Sequence, residues 1–152
     1  MKRFALACAL LLCACTPGAM PAQGGSSGGG AVTTIDVNLT QHAPTQTPQG
    51  TSAGYAPAIT TVPVGSAIRF TNSDGFAHTA TLIPNATSFP AGSVFDASAL
   101  TQKGSAISGS WTSGTMSAGA SSQILTVDRA GTYLYGCFYH YGAPMRGVIV
   151  AQ

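Results

Sequence analysis

Charged side chains are scarce in this chain of 152 residues: Asp, Glu, Lys and Arg together make up 7% of it, and glutamate is absent. The formal net charge of +2 comes from Lys2 and Arg3, because the other basic residues are matched in number by aspartates. Binding to nucleic acid needs a clustered basic footprint, which this sequence lacks. The sequence therefore predicts no nucleic-acid partner, and it argues against strong electrostatic steering of a protein partner.

Cysteine is nearly absent from most of the chain. Of four cysteines, Cys8, Cys13 and Cys15 stand near the N terminus, which leaves Cys137 alone in the remainder. A disulfide within residues 31–152 is therefore excluded. A lone thiol in an exported protein risks oxidation or pairing between molecules, and a bound metal would remove that hazard.

Long apolar runs are also missing. The positively charged start is followed by the short apolar stretch 4–12, which is typical of a secretory signal and too short to span a bilayer permanently. Leu12-Cys13-Ala14-Cys15 resembles a bacterial lipobox, in which Cys15 would be lipidated and become the mature N terminus. Ordinary signal cleavage near residues 19–22 is the alternative.

These features predict three parts of the chain. Residues 1–15 are expected to be a signal peptide with a lipobox, residues 16–30 a flexible Gly/Ser-rich linker, and residues 31–152 one domain. We expect the protein to be exported to the periplasmic side of a bacterial membrane. Its contact with that membrane would be a lipid anchor at Cys15.

The domain is rich in Gly, Ser, Thr, Ala and Val, a composition that favours an all-β sandwich with uncharged polar faces. Strands are predicted at 32–40, 58–64, 67–71, 79–83 and 122–127. Residues 41–56 are predicted to form a loop. The segment 85–119 is predicted to form long loops with one short helical turn near residues 96–102.

A segment near the C terminus carries three side chains that bind soft metals. Residues 131–150 are predicted to form a strand, a loop and a second strand, because the first arm alternates at period two and the last is β-branched. Between the arms lie Cys137, His140 and Met145, spaced Cys-x2-His-x4-Met. Thiolate and thioether ligands select copper, and imidazole also binds it. The loop therefore predicts three ligands of one copper ion.

A second histidine is needed, because a trigonal His2Cys set with a weak axial Met describes a blue-copper site. His78, at the start of another strand-like run, is the plausible supplier. His42 lies in a stretch rich in Thr, Pro, Gln and Gly, and it is expected to be a solvated loop residue instead.

Two motifs resemble those of a known family. Residues 137–147, with the pattern Cys-x2-His-x4-Met-x-Gly, are similar to the copper loop of plastocyanin and its bacterial relatives. Residues 72–78, with Asn-x2-Gly-Phe-x-His, resemble the segment that carries the family's first histidine ligand. The chain is thus identified by resemblance as a member of the cupredoxins. The resemblance implies a Greek-key antiparallel β-sandwich of seven or eight strands, with four ligands converging at one end: His78, Cys137, His140 and Met145.

Two further positions bear on this resemblance. Thr79 follows the first histidine, where plastocyanins carry an asparagine that ties the two ligand loops together. Because threonine has a shorter reach, the sequence leaves open whether that hydrogen bond forms. Gly131-x-Tyr133 is similar to the tyrosine corner of Greek-key sandwiches, in which the phenol binds backbone. Trp111 and Met116 are expected to be packing residues.

Other sites fit the residues less well. Taken singly, Cys137, His140 and Met145 are each typical of a buried or loop residue without chemistry. A zinc site is disfavoured, because methionine is not a usual zinc ligand and no second cysteine is available. Covalent haem needs Cys-x-x-Cys-His, which is absent. A nucleophilic Cys137 paired with His140 lacks a recognisable orienting partner.

The resemblance implies one-electron transfer by a single copper ion that cycles between Cu(I) and Cu(II). It implies no enzyme activity, since four protein ligands leave the metal no open position for substrate. Redox partners are expected to dock on a monomer near His140. The alternative is a periplasmic copper-binding protein that acts as a chaperone or buffer.

Overall fold

The computed structural model describes residues 31–152, and the predicted signal peptide, the predicted lipobox with Cys15 and the predicted Gly/Ser-rich linker lie outside them. The described part contains ten strands and one short 3-10 helix. In chain order the strands are β1 Val32–Val37, β2 Thr45–Thr47, β3 Gly50–Ser52, β4 Tyr55–Ala56, β5 Ile59–Val62, β6 Ala67–Asn72, β7 Thr81–Ile83, β8 Leu125–Thr126, β9 Gly131–Gly136 and β10 Arg146–Ala151. The helix spans Ala97–Leu100, between β7 and β8.

Eight of the strands form two four-stranded sheets, and β2 and β3 form a separate hairpin. The first sheet has the order β4-β1-β6-β8, and the second has the order β5-β10-β9-β7. Both sheets are mixed: β1 runs parallel to β6 and β5 runs parallel to β10, whereas the other neighbouring pairs are antiparallel. The all-β sandwich predicted from the sequence is confirmed.

The main core lies between the sheets and follows from alternation along the strands. In β6, Ile68, Phe70 and Asn72 are buried while the residues between them are half-buried, as the period of two in a strand requires. Phe70 meets Tyr135 of β9 edge to face, with ring centroids 5.0 Å apart, and stacks on Trp111 at 5.7 Å. This cluster also contains Cys137, so the predicted metal loop rests directly on the core.

The second sheet is covered on its outer face as well. Leu134 and Val148 point away from the main core and pack in a smaller cluster with Phe89, which lies in the segment after β7. Burial on both faces explains why residues 148–150 are a continuous β-branched run and do not alternate with polar residues. The segment that the sequence left least regular thus forms the outer wall of this sheet.

Several smaller sequence predictions are confirmed by the structure. The short helical turn is confirmed, and Asp96 caps it by accepting a hydrogen bond from Ser98 N at 2.8 Å. The tyrosine corner is also confirmed, because Tyr133 Oη donates to Arg129 O at 2.9 Å. Trp111 and Met116 are buried packing residues, as expected.

Two predictions were wrong. Residues 41–56 were expected to be a loop, but they contain β2, β3 and β4. These strands have only two or three residues each, and β2 and β3 have a polar composition that is typical of loops. The two sheets of the sandwich still hold eight strands, within the seven or eight expected. The predicted strand 122–127 is reduced to Leu125–Thr126.

In the described range, no helix has both the length and the apolar character needed to cross a bilayer.

Candidate copper centre

Strand register brings two loops together at one end of the sandwich. Gly136, the last residue of β9, lies opposite Thr81 of β7 on one side and Arg146 of β10 on the other. Cys137 directly follows β9, Met145 directly precedes β10, and His78 stands just before β7. The pairing of three neighbouring strands therefore places these residues side by side, although 59 residues separate His78 from Cys137.

Three donor atoms converge between these loops. His78 Nδ1 and His140 Nδ1 are 3.1 Å apart, and Cys137 Sγ lies 3.8 Å from the first nitrogen and 3.7 Å from the second. Metal–nitrogen bonds of about 2.0 Å and a metal–sulfur bond of about 2.3 Å would fit one ion between donors at such separations. Two imidazoles and one thiolate are also the equatorial donor set of a blue-copper site. The residues present therefore fit a single copper ion.

Met145 lies beside this cluster. Its side chain is fully buried in the same core as Cys137, and its carbonyl accepts a hydrogen bond from Cys137 N at 3.0 Å. Gly54 packs closely against the Met145 side chain, because an added Cβ there would stand 2.7 Å from Met145 Cγ. The axial role predicted for Met145 fits this position.

The two loops are tied together by Thr79. Its hydroxyl accepts a hydrogen bond from Phe138 N at 2.9 Å, so threonine makes the connection between the loops that the sequence had left open. Its own backbone N–H donates to Cys137 Sγ at 3.4 Å. Its carbonyl accepts a hydrogen bond from Tyr55 Oη, which anchors the segment to the core. Thr79 thus fixes the sulfur relative to His78.

Sequence reasoning missed Asp74. This buried aspartate lies in the loop between β6 and β7, and its Oδ2 is 3.1 Å from His78 Nε2. Burial alone would raise the pKa of the carboxyl, but hydrogen bonds from His78, Thr40 and Gly75 hold that pKa at about 2. The one sequence signal was an aspartate four residues before a candidate ligand, and that spacing alone does not predict a contact in a loop.

The direction of the pKa shifts favours metal binding at His140 but not at Cys137. Burial and the neighbouring His78 lower the pKa of His140, which favours the neutral imidazole that a metal requires. Burial raises the pKa of the Cys137 thiol, so the thiolate depends on a nearby cation for its stabilisation. His42 takes no part in the cluster, because its Nε2 lies 2.6 Å from Asp36 Oδ2.

Comparison with known proteins shows the family to which the chain belongs. Residues 42–152 match the model of a family described as copper binding proteins of the plastocyanin/azurin family. Because the match covers most of the chain, the protein belongs to this copper-binding family, and copper is its cofactor. No curated protein matches the sequence.

Similar solved structures are also cupredoxins. A purple cupredoxin from Nitrosopumilus maritimus is 19% identical, with a TM-score of 0.49 over 79% of this chain and 99% of that one. A fern plastocyanin variant is 22% identical, with a TM-score of 0.49 over 79% of this chain and 100% of that one. A variant of amicyanin in its Cu(I) form is 18% identical, with a TM-score of 0.48 over 79% of this chain and 83% of that one.

Proposed function

We propose that this chain is a one-electron carrier whose copper ion is held by His78, Cys137, His140 and Met145. The observation that carries the proposal is the convergence of two imidazole nitrogens and one sulfur within 4.8 Å of one another. When bound, copper would supply the one-electron couple between Cu(II) and Cu(I). What the chain supplies is a donor set assembled from two loops that strand pairing and Thr79 hold in place.

The burial of the donors favours this role. His78, Cys137 and Met145 are fully buried, so the surrounding core keeps water from the metal position. Donors that cannot relax far between the two oxidation states lower the reorganisation required for electron transfer. His140 is half-buried, which makes its ring edge the natural contact for a redox partner. The proposed carrier therefore exchanges electrons through the surface around His140.

A copper chaperone or buffer is the competing function, and the same burial argues against it. A protein that passes copper on needs ligands that an acceptor can reach, whereas three of the four side chains here have no exposed surface. Four protein ligands also leave no open position for a substrate, so we propose a carrier and not an enzyme. We place it outside the cytoplasm because residues 1–15 resemble a lipoprotein leader, a placement that cell fractionation tests.

Substitution of Cys137 by serine tests the ligand set. The copper-loaded Cys137→Ser variant is expected to lose the intense visible band of thiolate-to-copper charge transfer, while its circular dichroism keeps the β-sandwich signature. Met145→Leu is the matched control: a weak axial ligand tunes the potential more than the affinity, so this variant should keep the band and have a higher reduction potential. An undiminished band in Cys137→Ser contradicts the assignment.

A second measurement separates the carrier from the chaperone. The carrier is expected to go through repeated reduction and reoxidation in the presence of a Cu(I) chelator without losing metal. Release of the copper to the chelator on each reduction would favour the chaperone and overturn the proposal.

A further inference from the structure

A buried carboxylate stands behind one of the two histidines. The side chain of Asp74 is 4% exposed and that of His78 is 0% exposed, and Oδ2 of the first lies 3.1 Å from Nε2 of the second. Among the described residues Asp74 is the one buried acidic residue, since Asp36 is half-buried and Asp96 and Asp128 are exposed. An ionised group in such a place is costly unless it is fully hydrogen-bonded.

The chain meets that requirement with donors from a distant segment. Leu39 N and Thr40 N donate to Asp74 Oδ2 at 2.9 and 3.3 Å, and Thr40 Oγ1 donates to Oδ1 at 2.9 Å. Gly75 N also donates to Oδ1, at 2.8 Å. These bonds hold the carboxylate in one orientation, with an oxygen directed at His78. The arrangement is built by the fold, because Leu39 and Thr40 lie 35 and 34 residues earlier in the chain.

This contact decides which nitrogen of His78 is free. An ionised carboxylate oxygen only accepts hydrogen bonds, so the proton of the neutral imidazole resides on Nε2. Nδ1 then presents its lone pair, and it is Nδ1 that lies 3.8 Å from Cys137 Sγ. Metal-binding histidines commonly donate their other N–H to a carboxylate or carbonyl, which fixes the ring and raises its basicity.

The other histidine has no such support. Within residues 31–152, the recorded hydrogen-bond contacts of the His140 ring involve Nδ1, and none involves Nε2. The two imidazoles are thus unequal: one is buried against an anion, and the other is half-buried without a carboxylate partner.

We propose that Asp74 is a positioning residue that holds His78 in the Nε2-protonated tautomer and, by its negative charge, favours Cu(II) over Cu(I). The inference rests on the proposed role of His78 as a ligand. A fixed anion stabilises the more positive oxidation state more strongly, so it lowers the reduction potential of the site. Loss of the charge should therefore weaken Cu(II) binding more than Cu(I) binding.

The main test is Asp74→Asn, with Asp36→Asn as the matched control. Both changes remove one negative charge from an aspartate that contacts a histidine, but Asp36 pairs with His42, which is not a candidate ligand. Asp74→Asn is expected to keep the visible band and to lose about tenfold in Cu(II) affinity. With Cu(I) affinity unchanged, that loss raises the potential by about 59 mV for one electron. Asp36→Asn should leave both quantities unchanged.

Nuclear magnetic resonance provides a test on the metal-free protein, and its main measurement is made on the wild type. The ¹⁵N chemical shifts of the His78 ring in the wild-type, metal-free protein should report a proton on Nε2. In Asp74→Asn this preference for Nε2 should be weaker or reversed. A proton on Nδ1 in the wild type would overturn the proposal even if the variant fails to fold.

The remaining outcomes also discriminate. Equal shifts of potential in Asp74→Asn and Asp36→Asn would show that the effect comes from net charge alone, and this would overturn the proposal. An unchanged potential in both variants would overturn it as well. A wild-type protein without the visible band would refute the proposed function. The tautomer of His78 would still decide whether Asp74 positions this ring.

Discussion

Thr79 shows how a single hydroxyl can replace a longer side chain at this kind of site. The hydrogen bond from Phe138 N spans 59 residues of sequence and connects the segment before β7 with the loop after β9. The threonine hydroxyl can reach Phe138 N because the two loops lie close together. Thr79 N is only 3.4 Å from Cys137 Sγ. The bond thus depends on the approach of the loops as much as on the side chain.

Thr79→Val should break this connection without changing the shape of the side chain. A buried or half-buried N–H that loses its partner costs about 1–3 kcal/mol, so the unfolding free energy should fall by that amount. Urea unfolding of the metal-free protein measures it, and faster copper release to a chelator should accompany it. Thr61→Val, at an exposed position of β5, is the control and should change stability by less than about 0.5 kcal/mol. Equal stability of the two variants would contradict the role assigned to Thr79.

The elements differ in how far the sequence predicts them. Residues 131–150 could be assigned as strand, loop and strand because a period of two and a β-branched run flank three metal-binding side chains within nine residues, 137–145. His78 could be paired with that loop on donor chemistry alone. The local sequence pattern therefore predicted most of the residues of the candidate site.

The support around the site could not be predicted in the same way. Asp74 is recognised as part of the centre only when Leu39 and Thr40 are known to fold against it, and nothing local in the sequence indicates that contact. The hairpin of β2 and β3 has strands of three residues with a polar composition, so its structure is set by tertiary packing and not by intrinsic propensity. Long-range contacts decide both features.

The short connection after that hairpin packs against Met145, the proposed axial ligand. Gly54 adopts φ +72°, and a Cβ on it would approach Met145 Cγ to 2.7 Å and Leu39 Cδ1 to 3.2 Å. Ala53 N also donates to Pro144 O at 2.9 Å, which ties this connection to the copper loop. The segment that the sequence predicted as a plain loop therefore confines the side chain of Met145, the proposed axial ligand.

Gly54→Ala should displace Met145, and Gly65→Ala provides a control for backbone strain. Gly65 has φ +89°, and an added Cβ there meets nothing within 4 Å. Both changes should lose about 1–2 kcal/mol of unfolding free energy from the left-handed backbone. Gly54→Ala should lose more and should alter the visible spectrum of the copper protein, because the axial side chain must shift. Identical losses with unchanged spectra would show that the segment with Gly54 does not confine Met145.

At the scale of the whole molecule, the described domain is electrically balanced. Residues 31–152 contain four basic side chains (Arg69, Lys103, Arg129 and Arg146) and four acidic ones (Asp36, Asp74, Asp96 and Asp128), so the formal charge is 4 − 4 = 0. Arg146 is half-buried with its guanidinium 4.2 Å from the Tyr141 ring centroid, and it donates to Tyr141 O. This cation is thus engaged within the domain.

Exposed side chains that lie close to the two histidines in sequence are apolar by contrast. Phe76 is 65% exposed and Tyr139 is 43% exposed, and Ala77 and Ala143 are exposed in the same two loops. Tyr141, which also stands beside His140 in sequence, is buried and belongs to the second cluster. We name the four exposed residues the His140 face. Exposed apolar patches of this kind usually mark a contact surface, and a transient redox contact is expected to be small.

Docking of a redox partner on the His140 face should therefore depend only slightly on salt. Screening acts on charges, and the domain offers neither a net charge nor an acidic cluster for steering, so the electron-transfer rate should change little as ionic strength rises. Ala143→Glu should slow transfer while leaving the copper spectrum intact, because it adds a charge on an exposed side chain and keeps the backbone hydrogen bond from Ala143 N to His140 O. Thr61→Glu, an equal charge change at an exposed position of β5, is the control and should leave the rate unchanged. Stopped-flow kinetics with the natural partner over a range of salt concentrations measures both effects. A steep fall in rate with added salt would instead assign the docking to Arg146 or Lys103 and refute docking through the His140 face.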